Sequence, residues 1–146
     1  MPNRRLLILI IGNFFVATSF MAVSGLLNEI AAALHVSTGE AGLFLAAFGL
    51  TAGICAPVLA TVGSSIDRRK LLTIAMACCA VANVIGAFSQ TYEQFLWMRV
   101  LAAVTSAVFT PQAAATVSML VPAEQRAATL AKLMVGWAVG SVLGTP

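Results

Sequence analysis

Arg99 carries a charge inside an otherwise apolar run, about one turn from the run's outer end, and is the first residue to ask chemistry of. An arginine at the centre of a lipid-spanning helix costs about 2.5–3.5 kcal/mol on insertion scales, and less near an interface. Two readings follow. The side chain snorkels to the interface, or it faces a cavity and has a partner there. Helical spacing puts Ala103, Ser106, Thr110 and Ala113 on the Arg99 face. That stripe is small and polar, unlike a surface that meets lipid tails. Glu29, at the outer end of the first apolar run, is a possible counter-ion. Asn13, Thr18, Ser19, Asn83 and Gln112 also lie within apolar runs. Such residues either bond to a neighbouring helix or line a cavity. Asn13, Ser106, Thr110 and Gln112 therefore join Arg99 and Glu29 as candidate cavity and coupling residues.

Two further groups stand out by spacing. The turn Gly63-Ser-Ser-Ile-Asp67-Arg68-Arg69-Lys70 places a lone carboxylate just before a helix, among three basic residues. Asp67 there caps the helix, pairs with the arginines, or anchors the loop in solvent. Gly136, Gly140 and Gly144 form a GxxxGxxxG run ending in Thr145-Pro146, and such a run requires a close helix partner. A longer small-residue stripe runs through Gly42, Ala46, Gly49, Gly53, Ala56, Ala60 and Gly63. It predicts a helix lying against that face throughout, as static packing or as a sliding contact. Cys55, Cys78 and Cys79 have neither disulfide nor metal spacing and read as small buried residues. His35 reads as a surface residue. Pro57 and Pro111 should bend their helices.

The elements that position these groups follow from composition. Apolar residues make up 60% of the 146-residue chain and charged residues 9%, with a mean hydropathy of +0.98. Water-soluble domains carry about 25% charge, so the solvent around this chain is lipid. Charge-free runs cover Leu6–Leu27, Ala41–Ile66, Leu71–Tyr92 and Val100–Ala123, of 22, 26, 22 and 24 residues. About 20 apolar residues cross the hydrocarbon. The predicted spans are 6–28, 41–65, 71–91 and 95–120, with a fifth from 127 to 146. The first run is too long for the core of a cleaved signal. The fifth stops short of a full crossing after Lys132, so the sequence is expected to be the front part of a longer protein.

Arg4, Arg5, Arg68, Arg69, Lys70, Arg126 and Lys132 lie at one set of run ends, and no lysine or arginine lies in the loops at the other. This split places the N-terminus and the turns at 67–70 and 122–127 in the cytoplasm, with Tyr92 and Trp97 at the outer interface. The basic residues form no extended patch, which speaks against nucleic acid as a partner. The expected partners are the lipid bilayer and a small-molecule substrate. No nucleophile, base or metal-ligand set converges, so an enzyme is the least expected class. No GxxxxGK loop is present. No cofactor is expected, and transport work would draw on a gradient.

Together these motifs resemble the major facilitator superfamily. "LLNEIAAALHVSTGEAGLFLAAFGLTAG" is similar to that family's first outer loop and second helix. Gly63, Asp67, Arg68, Arg69 and Lys70 resemble its GxxxDRxGRR loop, here without the second glycine and about two residues shorter. "FLWMRVLAAV" is similar to the fourth-helix arginine motif, with Ala103 where a glycine is usual. "VPAEQRAATLAKLMVGWAVGSVLGTP" resembles the approach to the fifth-helix antiporter motif, which Gly144 and Pro146 match. "DRRKLL" and "VLGTP" look like the drug- and sugar-efflux branch, of the arabinose-efflux-permease type.

The resemblance implies an all-α membrane protein, a helical bundle of which this chain supplies about four to five of twelve transmembrane helices. It implies proton-coupled efflux of a small molecule across the inner membrane. Arg99 would bias a nearby carboxylate, the 63–70 turn would hold a cytoplasmic gate, and, within a fifth-helix motif of Gly136, Gly140, Gly144 and Pro146, Gly140 and Gly144 would allow tight closure. The remaining partners would be the C-terminal helices of the same protein. The same fold running as an uptake symporter or facilitator is the first alternative. A small membrane interaction protein of this length is the second.

The orientation is testable directly. With Cys55, Cys78 and Cys79 replaced by serine, a Lys70→Cys variant should react with an impermeant maleimide only after the membrane is opened. Glu93→Cys should react in intact cells. The reverse pattern sinks the assignment.

Overall fold

Three of the long helices begin on a side-chain cap. Ser37 accepts from the backbone N–H of Glu40 at 3.2 Å, while the Glu40 carboxylate accepts from Ser37 N at 2.8 Å, a reciprocal capping box. Asp67 accepts from Lys70 N at 3.1 Å, and Thr91 accepts from Gln94 N at 3.3 Å. Each cap satisfies an N–H that has no partner within its own helix. The computed structural model of the chain describes residues 2–63 and 66–145. Its helices are α1 (Pro2–Gly25), α2 (Leu27–Ala33), α3 (Thr38–Val62), α4 (Arg68–Ala87), α5 (Tyr92–Leu120) and α6 (Ala123–Leu143). No strand occurs among the described residues.

Four of these helices are long and apolar enough to cross a bilayer: Arg4–Gly25, Thr38–Thr61, Arg68–Ala87 and Tyr92–Leu120. The outer end of the first apolar run is a separate short helix, because the chain breaks at Leu26 and restarts as α2. His35 ends α2 with φ of +54°. Val36 N bonds back to Ala31 O at 3.0 Å and His35 N to Ala32 O at 3.3 Å, the paired bonds of a left-handed helix stop. α6 starts at Ala123 and carries Glu124, Arg126 and Lys132 in its first half.

Helix pairing is uneven. α1 lies along α6, and α5 lies along both α3 and α4. Without a hydrophobic driving force between helices in lipid, close packing and interhelical hydrogen bonds must hold such pairs. The α1–α6 pair rests on the glycine run. A Cβ on Gly136 would collide with Ile10 O and one on Gly140 with Phe14 O, while one on Gly144 would sit 3.0 Å from Thr18 Cα. Nothing lies within 4 Å of the same position on Gly42, Gly49 or Gly53 of α3. At these three glycines the long small-residue stripe meets no helix among the described residues, whereas the shorter run on α6 meets one at three successive turns.

Core residues follow the same geometry. Leu9, Val16, Phe109, Ala113, Val117 and Leu133 form one buried cluster between α1, α5 and α6. Val23, Ala31, Ala41 and Phe44 form another at the outer end. Phe48, Ala82, Ala102 and Ala103 make a third, between α3, α4 and α5.

Replacing Gly140 with valine should destabilise the α1–α6 pair by about 1–3 kcal/mol through overpacking. The measurement is the midpoint of thermal unfolding in detergent. Gly49→Ala, which meets open space, should not lower that midpoint. A Gly140→Val midpoint equal to that of the parent chain would refute the backbone contact.

Candidate functional site

Arg99 lies seven residues into α5, two helical turns from Tyr92, because the Thr91 cap starts the helix ahead of the charge-free run. At about 1.5 Å per residue this is about 10 Å of depth, more than the single turn the sequence implied. The side chain is 3% exposed, so it is buried among helices rather than extended to an interface. Nη1 donates to Ser19 O of α1 at 3.2 Å. The guanidinium carbon stands 4.7 Å from the ring centroid of Phe48 on α3. A desolvated cation over an aromatic face gains about 2 kcal/mol. Phe20 of α1 backs that ring, with centroids 4.9 Å apart.

The polar surroundings extend to α4. Ser19 Oγ donates to Asn83 Oδ1 at 2.8 Å, and Asn83 Nδ2 donates to Cys79 O at 2.7 Å. Arg99 is therefore where α1, α3, α4 and α5 meet. Its Nε and Nη2 are buried and have no partner among the described residues. A buried donor left unpaired costs about 1–3 kcal/mol, and more when charged, so the two call for an acceptor, whether an ordered water, a bound molecule or a further part of the protein. Beside them lies a cleft of about 290 Å³, lined in part by Ser19, Val23, Asn83, Phe95 and Met98. No carboxylate is among its described lining residues.

The other sequence candidates fall into separate places. Glu29 is exposed on α2, whose Ile30 and Ala33 line the cleft instead, so the structure does not bring Glu29 to Arg99. Asn13 is fully buried. Its Nδ2 donates to Leu133 O of α6 at 3.2 Å, and its Oδ1 accepts from Thr110 Oγ1 of α5 at 3.3 Å. One amide thus ties three helices. Ser106 is buried two turns beyond Arg99, and its hydroxyl has no partner among the described residues. Gln112 is buried too, with Nε2 only 3.3 Å from where a Gly63 side chain would begin. Phe48 carried no signal in the sequence, since one phenylalanine on an apolar helix resembles the next. Ser19 and Asn83 were visible as polar residues, but not as neighbours of Arg99.

At the basic end, Gly63 is buried at the end of α3. A side chain there would come within 2.9 Å of Leu71 Cδ2. Asp67 caps α4, Arg68 is half-buried, and Arg69 and Lys70 are exposed. Ser64 and Ser65 of this turn lie outside the described residues, as does Pro146 of the fifth-helix motif. Gly136, Gly140 and Gly144 meet α1, with the Thr18 hydroxyl placed 2.9 Å from Phe14 O and 3.3 Å from Gly140 O.

Known proteins resemble this chain along nearly all of it. An uncharacterized MFS-type transporter of Bacillus subtilis, YbcL, is 28% identical over 142 residues, covering 97% of this chain and 36% of its own length. A chloramphenicol resistance protein of Streptomyces lividans is 33% identical over 129 residues, covering 88% of this chain and 33% of its own length. The inner membrane transport protein YdhP of Escherichia coli is 28% identical over 144 residues, 99% of this chain and 37% of its own. The chain spans about a third of the length of these relatives. The family model described as Major Facilitator Superfamily matches residues 9–146. A bundle of bilayer-length helices with this match is a multi-pass membrane protein, and the chain belongs to the major facilitator superfamily.

Proposed function

We propose that this chain is the front part of the N-terminal half of a proton-coupled transporter that exports a small molecule across the bacterial inner membrane. The observation that carries the reading is Arg99, buried where four helices meet, with two unpartnered nitrogens beside a cleft. A fixed cation in a low-dielectric site stabilises the charged form of any carboxylate that approaches it. A transporter can use that to release a proton in one state and hold it in another. The approaching carboxylate would come from elsewhere in the whole protein, since Glu29 faces away and Asp67 lies at the opposite end. The resistance protein among the relatives supports a drug-like substrate. The basic ends support a cytoplasmic N-terminus.

The buried Gly63 and the Asp67 cap would hold the cytoplasmic gate, with Arg68, Arg69 and Lys70 supplying its charges. Asn13, Thr110 and Gln112 would act by fixing helix positions. Ser106, buried with its hydroxyl unpaired among the described residues, would be free to bond a group that reaches it.

The test uses the whole protein and chloramphenicol as the first probe. Energised cells carrying it should accumulate less drug than cells without it, and a protonophore should abolish the difference. Arg99→Gln should reduce transport at least about tenfold, the scale of losing one buried charge-assisted hydrogen bond, and Arg99→Lys should retain part of it. Greater accumulation in energised cells would replace export with uptake. Full transport by Arg99→Gln would remove Arg99 from the mechanism.

A further inference from the structure

A buried cation can be compensated in different ways. A carboxylate neutralises it. A carbonyl oxygen accepts from it and leaves the charge in place, and so does the face of an aromatic ring. Among the described residues Arg99 has the last two. Ser19 O takes Nη1 at 3.2 Å, and the ring of Phe48 lies 4.7 Å from the guanidinium carbon. No carboxylate is among the described residues of the adjoining cleft. The two contacts act differently. One hydrogen bond fixes one nitrogen and leaves the rest of the group free to turn about it. A ring against the guanidinium limits that turning. Phe48 is itself held. It is buried, its ring meets that of Phe20 at 4.9 Å with a 40° tilt, and it shares a core cluster with Ala82, Ala102 and Ala103. All of these contacts lie between the described helices.

We propose that Phe48 is the positioning residue of the Arg99 site: it holds the guanidinium in place without neutralising it, so that the full charge meets a carboxylate arriving from elsewhere in the protein. This role rests on the proposed reading of Arg99 as the coupling cation. A carboxylate in place of the ring would compete with the arriving one. A saturated side chain of similar bulk would fill the space and leave a long, flexible arginine unsteadied. An uncharged π face avoids both. The attraction of a ring for a cation comes from its quadrupole, whereas its packing comes from its shape. Fluorine separates the two, because each fluorine on the ring withdraws charge from the π face with little change of size.

The test uses the whole protein, with phenylalanine or its mono-, di- and trifluorinated forms incorporated at position 48 through a reassigned stop codon. Chloramphenicol export, counted per folded protein, should fall about two- to threefold with each fluorine, since a whole desolvated cation–π contact corresponds to about thirtyfold. Trifluorination of Phe44, one turn earlier on α3 and packed on the rings of Tyr92 and Phe95, should leave export unchanged. Fluorine resonances read the contact without transport. The signal of monofluorinated Phe48 should move when Arg99→Gln is introduced, and that of monofluorinated Phe44 far less. A Phe48 signal unmoved by Arg99→Gln would overturn the proposal at the contact itself. Level export across the fluorinated forms, with export lost in Arg99→Gln, would overturn the positioning role and leave the proposed function standing. Equal losses from trifluorination at Phe44 and Phe48 would reduce the ring to packing and overturn the role as well. Full export by Arg99→Gln would remove the proposed function, and this role with it.

Discussion

In hydrocarbon a side-chain amide, hydroxyl or guanidinium has no solvent to bond with, so its partner must come from another helix or from its own backbone. This requirement fixes the assembly of the bundle. Asn13 joins α1 to α5 and α6 through one amide. Ser19 joins α1 to α4 through Asn83, and to α5 by accepting from Arg99. Thr18 holds its hydroxyl between carbonyls of α1 and α6. Each such bond contributes on the order of 1 kcal/mol in membranes, modest alone. Together they allow few ways of arranging the helices. The glycine contacts between α1 and α6 then bring backbones to a separation that no bulkier sequence reaches.

Against this background Arg99 is the exception. Its neighbours satisfy one nitrogen and stack one face, leaving two donors unmet. A purely structural arginine would be expected to have its donors satisfied. Incomplete satisfaction in a buried position has a stability cost, and a protein retains such a group when another state or another molecule completes it. The unpaired Ser106 hydroxyl, two turns along the same helix, follows the same logic at a smaller cost.

Much of the fold was legible in the sequence because lipid imposes simple rules. Length and charge-free runs marked the crossing helices, and the position of Asp67 anticipated a cap. The GxxxGxxxG spacing on α6 announced a close partner. That the partner is α1 could not be read, because spacing describes one helix surface and says nothing of which helix arrives. The pairing proposed for Glu29 and Arg99 rested on similar depth alone, and the structure leaves Glu29 exposed on α2. Asn13 was offered as a cavity residue or a helix tie, and its two bonds to other helices give it the second setting. Phe48 was illegible for a different reason. A ring stacked on a cation is a tertiary relation, and nothing local separates that phenylalanine from Phe44 or Phe15.

The near-contact of Gly63 with Gln112 has a mechanical consequence. It wedges the end of α3 against the middle of α5, while α6 is keyed into α1 by its glycines. Axial slippage between the members of either pair would drive a side chain into a backbone. Deformation is thereby steered away from the interior of this assembly and toward its margins. If the chain works as proposed above, α1 with α6 and α3 with α5 would each move as one unit, and any pivot would lie where they meet something else.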